Sequence, residues 1–170
     1  MTNKKILFVC LGNICRSPTA EAVFRKLCSG HIELKNSAID SCGTTGFHQG
    51  QCSDPRSVSS ALKRGYNLSL IRSRKISVEN FRIFDYILAM DYSNLESLKD
   101  LAIMHNFPTN NIHLFLDFAN QSNIKEVPDP YYGGDNGFDH VIDLIEDASK
   151  GLIDELLGKE LKVKNRENLQ

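Results

Sequence analysis

Between residues 10 and 18 the chain reads CLGNICRSP, and this stretch concentrates more reactive chemistry than its length would suggest. Gly12 and Asn13 favour a tight turn, and Ser17-Pro18 fits the start of a helix with Ser17 as its N-cap. A turn running into a helix N-terminus points several N–H groups into one concavity, where the helix dipole favours negative charge. Arg16 adds a planar fork that matches two oxygens of a tetrahedral oxyanion. The lysine and spacing of a nucleotide P-loop are absent, so the loop suits a phosphate group rather than ATP or GTP. Cys10 stands at the mouth of this cradle. Helix N-termini and neighbouring cations lower the pKa of a thiol, so Cys10 is expected as a thiolate, ready to attack a bound phosphorus.

Expelling an alkoxide or phenolate from phosphorus also needs a proton donor. The segment VPDPYYGG supplies a candidate in Asp129, held between two prolines that restrict the backbone around it. Tyr131 and Tyr132 follow at once, two aromatics able to flank a planar ring. The remaining cysteines read differently. Cys28 falls on the apolar face of the first helix, and Cys42 and Cys52 have no partner at metal-ligand spacing, which disfavours a zinc site. Cys15, inside the loop, has two readings: a packed side chain, or a redox partner that closes a reversible disulfide with Cys10.

Short apolar runs alternating with longer amphipathic ones must position these groups. Residues 6–10 (ILFVC) read as a buried strand, and Ala20, Val23, Phe24, Leu27 and Cys28 mark one face of a following helix. Residues 37–43 read as a second strand, and Asp54-Pro55 opens a helix that Gly65 ends, with Val58, Ala61 and Leu62 facing inward. Residues 84–90 form the clearest internal strand, 93–104 a helix, and 111–118 (NIHLFLDF) a fourth strand. A turn-rich stretch over 119–136 precedes one apolar stripe from Phe138 to Leu157. The domain is expected over 1–158, with a polar tail over 159–170 that frays. Such alternation implies right-handed crossovers and a parallel sheet covered on both faces, with ligands bound beyond the carboxyl ends of the strands. The loop lies there, as do Ser41, Asp91 and Asp117.

The 170 residues suffice for one domain, and the net charge of −1 argues against bulk attraction to nucleic acid or anionic membrane. Charge is unevenly spread. Six basic residues and no acid occupy 56–75, while 126–147 holds seven acids and neither lysine nor arginine. These are either two solvated faces or a basic border to an anion site. Five cysteines without a secretory signal, and no run of transmembrane length, point to the cytoplasm.

VCLGNICRSP near the N-terminus and DPYYGG near the C-terminus, with IDSCG and FDYILAMD between them, resemble the low-molecular-weight protein-tyrosine phosphatases. The resemblance implies a flavodoxin-like three-layer α/β/α fold with a four-stranded parallel sheet. It also implies hydrolysis of phosphotyrosine on proteins through a cysteinyl-phosphate, with no metal or other cofactor. By the same motifs, Cys10 attacks, Arg16 and the amides of residues 11–17 (Leu11, Gly12, Asn13, Ile14, Cys15, Arg16 and Ser17) hold the phosphate, and Asp129 is acid and then base. Ser17 hydrogen-bonds the Cys10 sulfur, Asn13 and Ser41 brace the loop, and Asp91 supports it. Phe47, Tyr131 and Tyr132 wall the slot for the aryl ring. Inorganic phosphate and other tetrahedral oxyanions are the implied product or inhibitors. A histidine common in the family is replaced at what looks like Ile71. Related arsenate reductases need further redox cysteines, and none lies beyond Cys52. Related phosphoarginine phosphatases tend to carry threonine where Ile14 stands. A non-catalytic phosphopeptide-binding module would need no acid.

Overall fold

The computed structural model describes residues 3–134 and 136–159. Four parallel strands, β1 (Lys5–Cys10), β2 (Ala38–Gly43), β3 (Tyr86–Ala89) and β4 (Ile112–Leu114), form one sheet in the order β2-β1-β3-β4. The helices are α1 (Arg16–Cys28), α2 (Pro55–Lys63), α3 (Glu79–Ile83), α4 (Tyr92–Met104) and α5 (Asn136–Leu156). The two-residue period of a strand divides the sheet's side chains between two cores. Ile6, Phe8, Cys10, Leu88 and Met90 join α1 and α5 on one face, while Leu7, Val9, Ile87 and Ala89 join Phe81, Leu98 and Ala102 of α3 and α4 on the other. This is the flavodoxin-like three-layer arrangement. Phe8, fully buried, meets Phe24 and Phe115 edge to face at 5.5 and 5.0 Å, which fastens β1 beneath α1.

The expected stripe along α5 holds throughout: Phe138, Val141, Ile142, Ile145, Leu152, Ile153 and Leu156 are all buried. Asp54 caps α2 as expected, accepting the Arg56 N–H at 2.8 Å. Three expectations need correction, and one helix went unread. The fourth strand stops at Leu114, and Phe115–Phe118 is a 3₁₀ turn. Phe115, Leu116 and Phe118 all point inward there, which the alternation of a strand forbids. Leu62 is exposed, because the inward face of α2 runs through Ser57 and Ala61 and leaves the next position on the solvent side. The short helix α3 has no counterpart in the reading of the sequence. Finally, Ser17 is not the cap of α1, which begins at Arg16 after Cys15 and has no side-chain cap. Of the tail expected to fray over 159–170, Lys159 is held by its N–H to Asp154 C=O at 2.9 Å, and residues 160–170 lie outside the described residues.

Gly151 shows how closely α5 approaches the 3₁₀ turn that follows β4. A Cβ there would stand 1.7 Å from the Phe118 carbonyl oxygen, a backbone atom that cannot swing aside. Gly151→Ala should therefore lower stability by about 1–3 kcal/mol in urea unfolding, the cost of overpacking a core, despite the better helix propensity of alanine.

Candidate active site

At the carboxyl end of β1 the chain turns through residues 11–15 into α1, and neighbouring segments take up its carbonyls one by one. Thr44 N–H donates to Cys10 C=O (2.9 Å), Thr45 N–H to Leu11 C=O (3.1 Å) and Asp54 N–H to Ile14 C=O (2.8 Å). The Ser73 and Thr19 hydroxyls donate to Gly12 C=O and Cys15 C=O at 3.0 and 2.6 Å. Because a trans peptide sets N–H opposite C=O, tying these carbonyls outward turns the amides of Leu11, Gly12, Asn13, Cys15 and Arg16 toward the concavity. The Asn13 N–H illustrates this: it donates to Cys10 Sγ at 3.2 Å.

Asn13 has a positive φ of 55°, which few side chains tolerate and asparagine tolerates best. Its side chain is buried and fully engaged. Nδ2 donates to Ser17 Oγ (2.8 Å) and Ser41 Oγ (3.0 Å), and Oδ1 accepts the Arg74 N–H (3.0 Å). Ser41 in turn donates to Glu21 Oε2 at 2.6 Å, which leaves its oxygen free only to accept from Asn13. Burial pushes the Glu21 carboxyl up, and Ser41 and Arg25, the latter at 2.9 Å, partly offset that. Ser17 Oγ lies 3.0 Å from Cys10 Sγ and 3.3 Å from the Cys42 carbonyl oxygen, so its one proton has the sulfur within reach. This is why Ser17 is not spent on capping α1.

Arg16 is 3% exposed. Its Nη1 donates to Asp91 Oδ2 (2.6 Å) and to Val127 C=O (3.1 Å), and Nη2 stands 3.5 Å from Asp129 Oδ2. Burial alone would weaken the Arg16 charge, but the Cys10 sulfur, Asp91 and Asp129 more than offset it and hold the guanidinium above its ordinary value. Asp129 Oδ1 accepts the Tyr131 N–H at 3.0 Å, which aims Oδ2 at the arginine. A cavity of about 230 Å³ joins these parts, lined by Cys10, Leu11, Gly12, Ile14, Cys15, Arg16, Phe47, His48, Asp129, Tyr131 and Tyr132. Phe47 and Tyr132 are 80% and 89% exposed. Cys15 is buried, and that burial pushes its thiol up to about 12 despite a hydrogen bond with Ser57.

The structure thus gathers the expected residues round one cavity, with Asn13, Ser17, Ser41 and Asp91 behind them. Asp117 is the exception: it is exposed and pairs with Lys125 at 3.2 Å. The basic stretch is neither a wholly solvated face nor, at Arg74, a charged border to the site, for the Arg74 guanidinium pairs with Asp40 at 2.8 Å. Arg64 pairs with Asp143 of the acidic stretch at 2.6 Å, while the Arg74 backbone serves Asn13. Ile71 packs against the core, and Asp91 is linked to Arg16. Glu21 and His48 are among the residues the sequence reading missed. Glu21 is a charge at a helical position flanked by Ala20 and Ala22 and three before Phe24, a face that should be apolar, and that mismatch was its signal. His48, packed against Gly12, carried none. Among the described residues, no group of three or more His, Cys, Asp or Glu is placed to hold a metal ion.

A profile of the family described as low molecular weight phosphotyrosine protein phosphatase matches residues 5–165. This chain belongs to that family. The low molecular weight phosphotyrosine protein phosphatase of Schizosaccharomyces pombe is 43% identical over 85% of this chain and 92% of its own. A protein tyrosine phosphatase from Entamoeba histolytica, solved with Hepes in its active site, superposes with a TM-score of 0.85 at 43% identity, covering 91% of this chain and 97% of that one. A Drosophila arginine phosphatase superposes with a TM-score of 0.82 at 31% identity, over 89% of this chain and 96% of its own. No helix of the phosphatase among the described residues is long and apolar enough to cross a membrane.

The Glu21–Ser41–Asn13 chain of hydrogen bonds predicts a graded response. Glu21→Gln retains an acceptor for Ser41 and should leave kcat/KM within about threefold, whereas Glu21→Ala should lower it about tenfold and weaken phosphate inhibition, through misplacement of the loop. Steady-state kinetics with competing phosphate would check both.

Proposed function

We propose that this phosphatase hydrolyses phosphotyrosine on proteins through a cysteinyl-phosphate intermediate, without a metal ion. One observation carries the reading: Cys10 and Asp129, from opposite ends of the chain, face one cavity with the Arg16 guanidinium beside both. The phosphate oxygens are received by amides of residues 11–17 and by the Arg16 guanidinium, which supply the positive charge that a metal ion provides elsewhere. The Cys10 sulfur attacks phosphorus as the bond to the aryl oxygen breaks, and Asp129 gives its proton to that oxygen. The Ser17 hydroxyl and the Asn13 N–H hold the sulfur in line. In the second step Asp129 takes a proton from water, the water oxygen bonds to phosphorus, and the S–P electron pair returns to sulfur as phosphate leaves. Phe47, Tyr131 and Tyr132 receive the aryl ring, and phosphate or another tetrahedral oxyanion occupies the cradle as product or inhibitor. A nucleophile that works only as the reduced sulfur suits the cytoplasm.

Phosphoarginine is the rival substrate, given the Drosophila neighbour. Ile14 lines the cavity, and its branched side chain crowds the path of a guanidinium, which favours the flat ring of tyrosine. With chelator present, kcat/KM should be higher for phosphotyrosine peptide than for phosphoarginine or phosphoserine; a preference for phosphoarginine would reverse the assignment. Cys10→Ser should show no turnover while still binding vanadate. Asp129→Ala should lower kcat/KM for phenyl phosphate about 10²–10³-fold and that for 4-nitrophenyl phosphate much less, because a good leaving group needs no proton. Equal losses would remove Asp129 from the acid role.

Cys15 is the proposed redox partner. Peroxide converts the Cys10 sulfur to a sulfenic acid, and Cys15 displaces water from it to form the disulfide. The attacking form is the Cys15 thiolate, scarce at neutral pH because burial holds this thiol near 12. Disulfide closure should therefore accelerate about tenfold per pH unit up to at least pH 9, with no plateau near the ordinary cysteine value. Mass spectrometry finding no Cys10–Cys15 linkage would dismiss the pairing.

A further inference from the structure

The first turn of α2 joins the two halves of the site. Asp54 Oδ1 accepts the Arg56 Nε–H at 3.1 Å and Oδ2 accepts from Nη2 at 3.0 Å, a two-pronged pairing that fixes the guanidinium plane although the side chain is 44% exposed. That plane lies 5.3 Å from the Tyr131 ring centre and 4.9 Å from that of Phe138, which is buried in the first turn of α5. The guanidinium therefore holds Tyr131 against a fixed wall by its attraction for both ring faces. At the same time the Asp54 N–H donates to Ile14 C=O of the phosphate-binding loop, and the Tyr131 N–H donates to Asp129 Oδ1. An unbroken path runs from Ile14 through Asp54, Arg56 and Tyr131 to Asp129.

We propose that Arg56 is a positioning residue for proton transfer: clamped by Asp54 and stacked on Tyr131 and Phe138, it sets how closely the 129–132 segment approaches the phosphate-binding loop. The inference rests on the reading of Asp129 as the proton donor. The segment has need of such a tie. Upstream, Val127 is fixed by its N–H to Met90 C=O and by its C=O to Arg16. Downstream of Asp129 the chain enters a short 3₁₀ turn, Pro130–Tyr132, and the Arg56 contact binds that turn to α2 and α5. Lysine cannot replace Arg56, because an ammonium group has neither the fork that grips Asp54 nor a plane to lay on the rings.

The test compares Arg56→Ala, Arg56→Lys and the double variant Arg56→Ala/Asp129→Ala with the parent protein. The readouts are kcat/KM for phenyl phosphate and 4-nitrophenyl phosphate, inhibition by inorganic phosphate, and hydrogen exchange of the Tyr131 amide. Arg56→Ala should lose about tenfold more on phenyl phosphate than on 4-nitrophenyl phosphate, with the phosphate inhibition constant changed less than about twofold. Arg56→Lys should resemble it, and the difference between substrates should vanish in the Asp129→Ala background. The Tyr131 amide should exchange faster in both single variants. Equal losses on the two substrates, or an undiminished difference without Asp129, would overturn the proposal. Should Asp129→Ala alone prove insensitive to the leaving group, the acid assignment falls instead; the clamp is then judged by Tyr131 exchange, which must quicken for it to stand.

Discussion

The Asn13 side chain is the point on which the site turns. Its backbone occupies a conformation that costs about 1–2 kcal/mol for an ordinary residue, and three hydrogen bonds from one buried amide hold it there. Those bonds also define which end of the amide is which. Ser41 gives its proton to Glu21 and so must receive one from Nδ2, while the Arg74 N–H must find Oδ1. With the amide so oriented, the Asn13 N–H is aimed at the Cys10 sulfur, and the loop has one shape rather than several. A polar network this completely satisfied specifies geometry far better than apolar packing does.

Charge is handled with the same economy. A guanidinium as buried as Arg16 would be costly alone, and it is paired on one side with Asp91 and faces Asp129 on the other. Asp91 also caps α4 by accepting the Asn94 N–H at 2.7 Å, so one carboxylate serves the start of a helix and the orientation of the arginine. Asp129, at 3.5 Å, is the looser neighbour of the two. The pairing at Asp91 fixes where the positive charge sits, and the longer contact leaves Asp129 less tightly held by it.

Much of this was legible in the residues themselves. The loop, the paired prolines around Asp129 and the cap at Asp54 are local signals, and local signals survive in a sequence. The departures have physical causes that are not local. Ser17 looked like a cap because serine before proline usually is one, but a nearby sulfur and amide claimed its hydroxyl. Phe115–Phe118 looked like strand because apolar residues cluster there, yet both flanks of the run are covered and a tighter coil buries more of them. Glu21 is a helix residue whose partner lies on β2, a contact that only the folded chain creates. Arg74 serves Asn13 through its backbone, which no side-chain pattern encodes.

The carbonyls around the cradle are gripped from segments that look inert on paper: Thr44 and Thr45 after β2, Asp54 before α2, Ser73 in an irregular stretch. Three of these four grips are main-chain N–H donors, which any residue but proline supplies, so only at Ser73 would an ordinary substitution release a loop carbonyl.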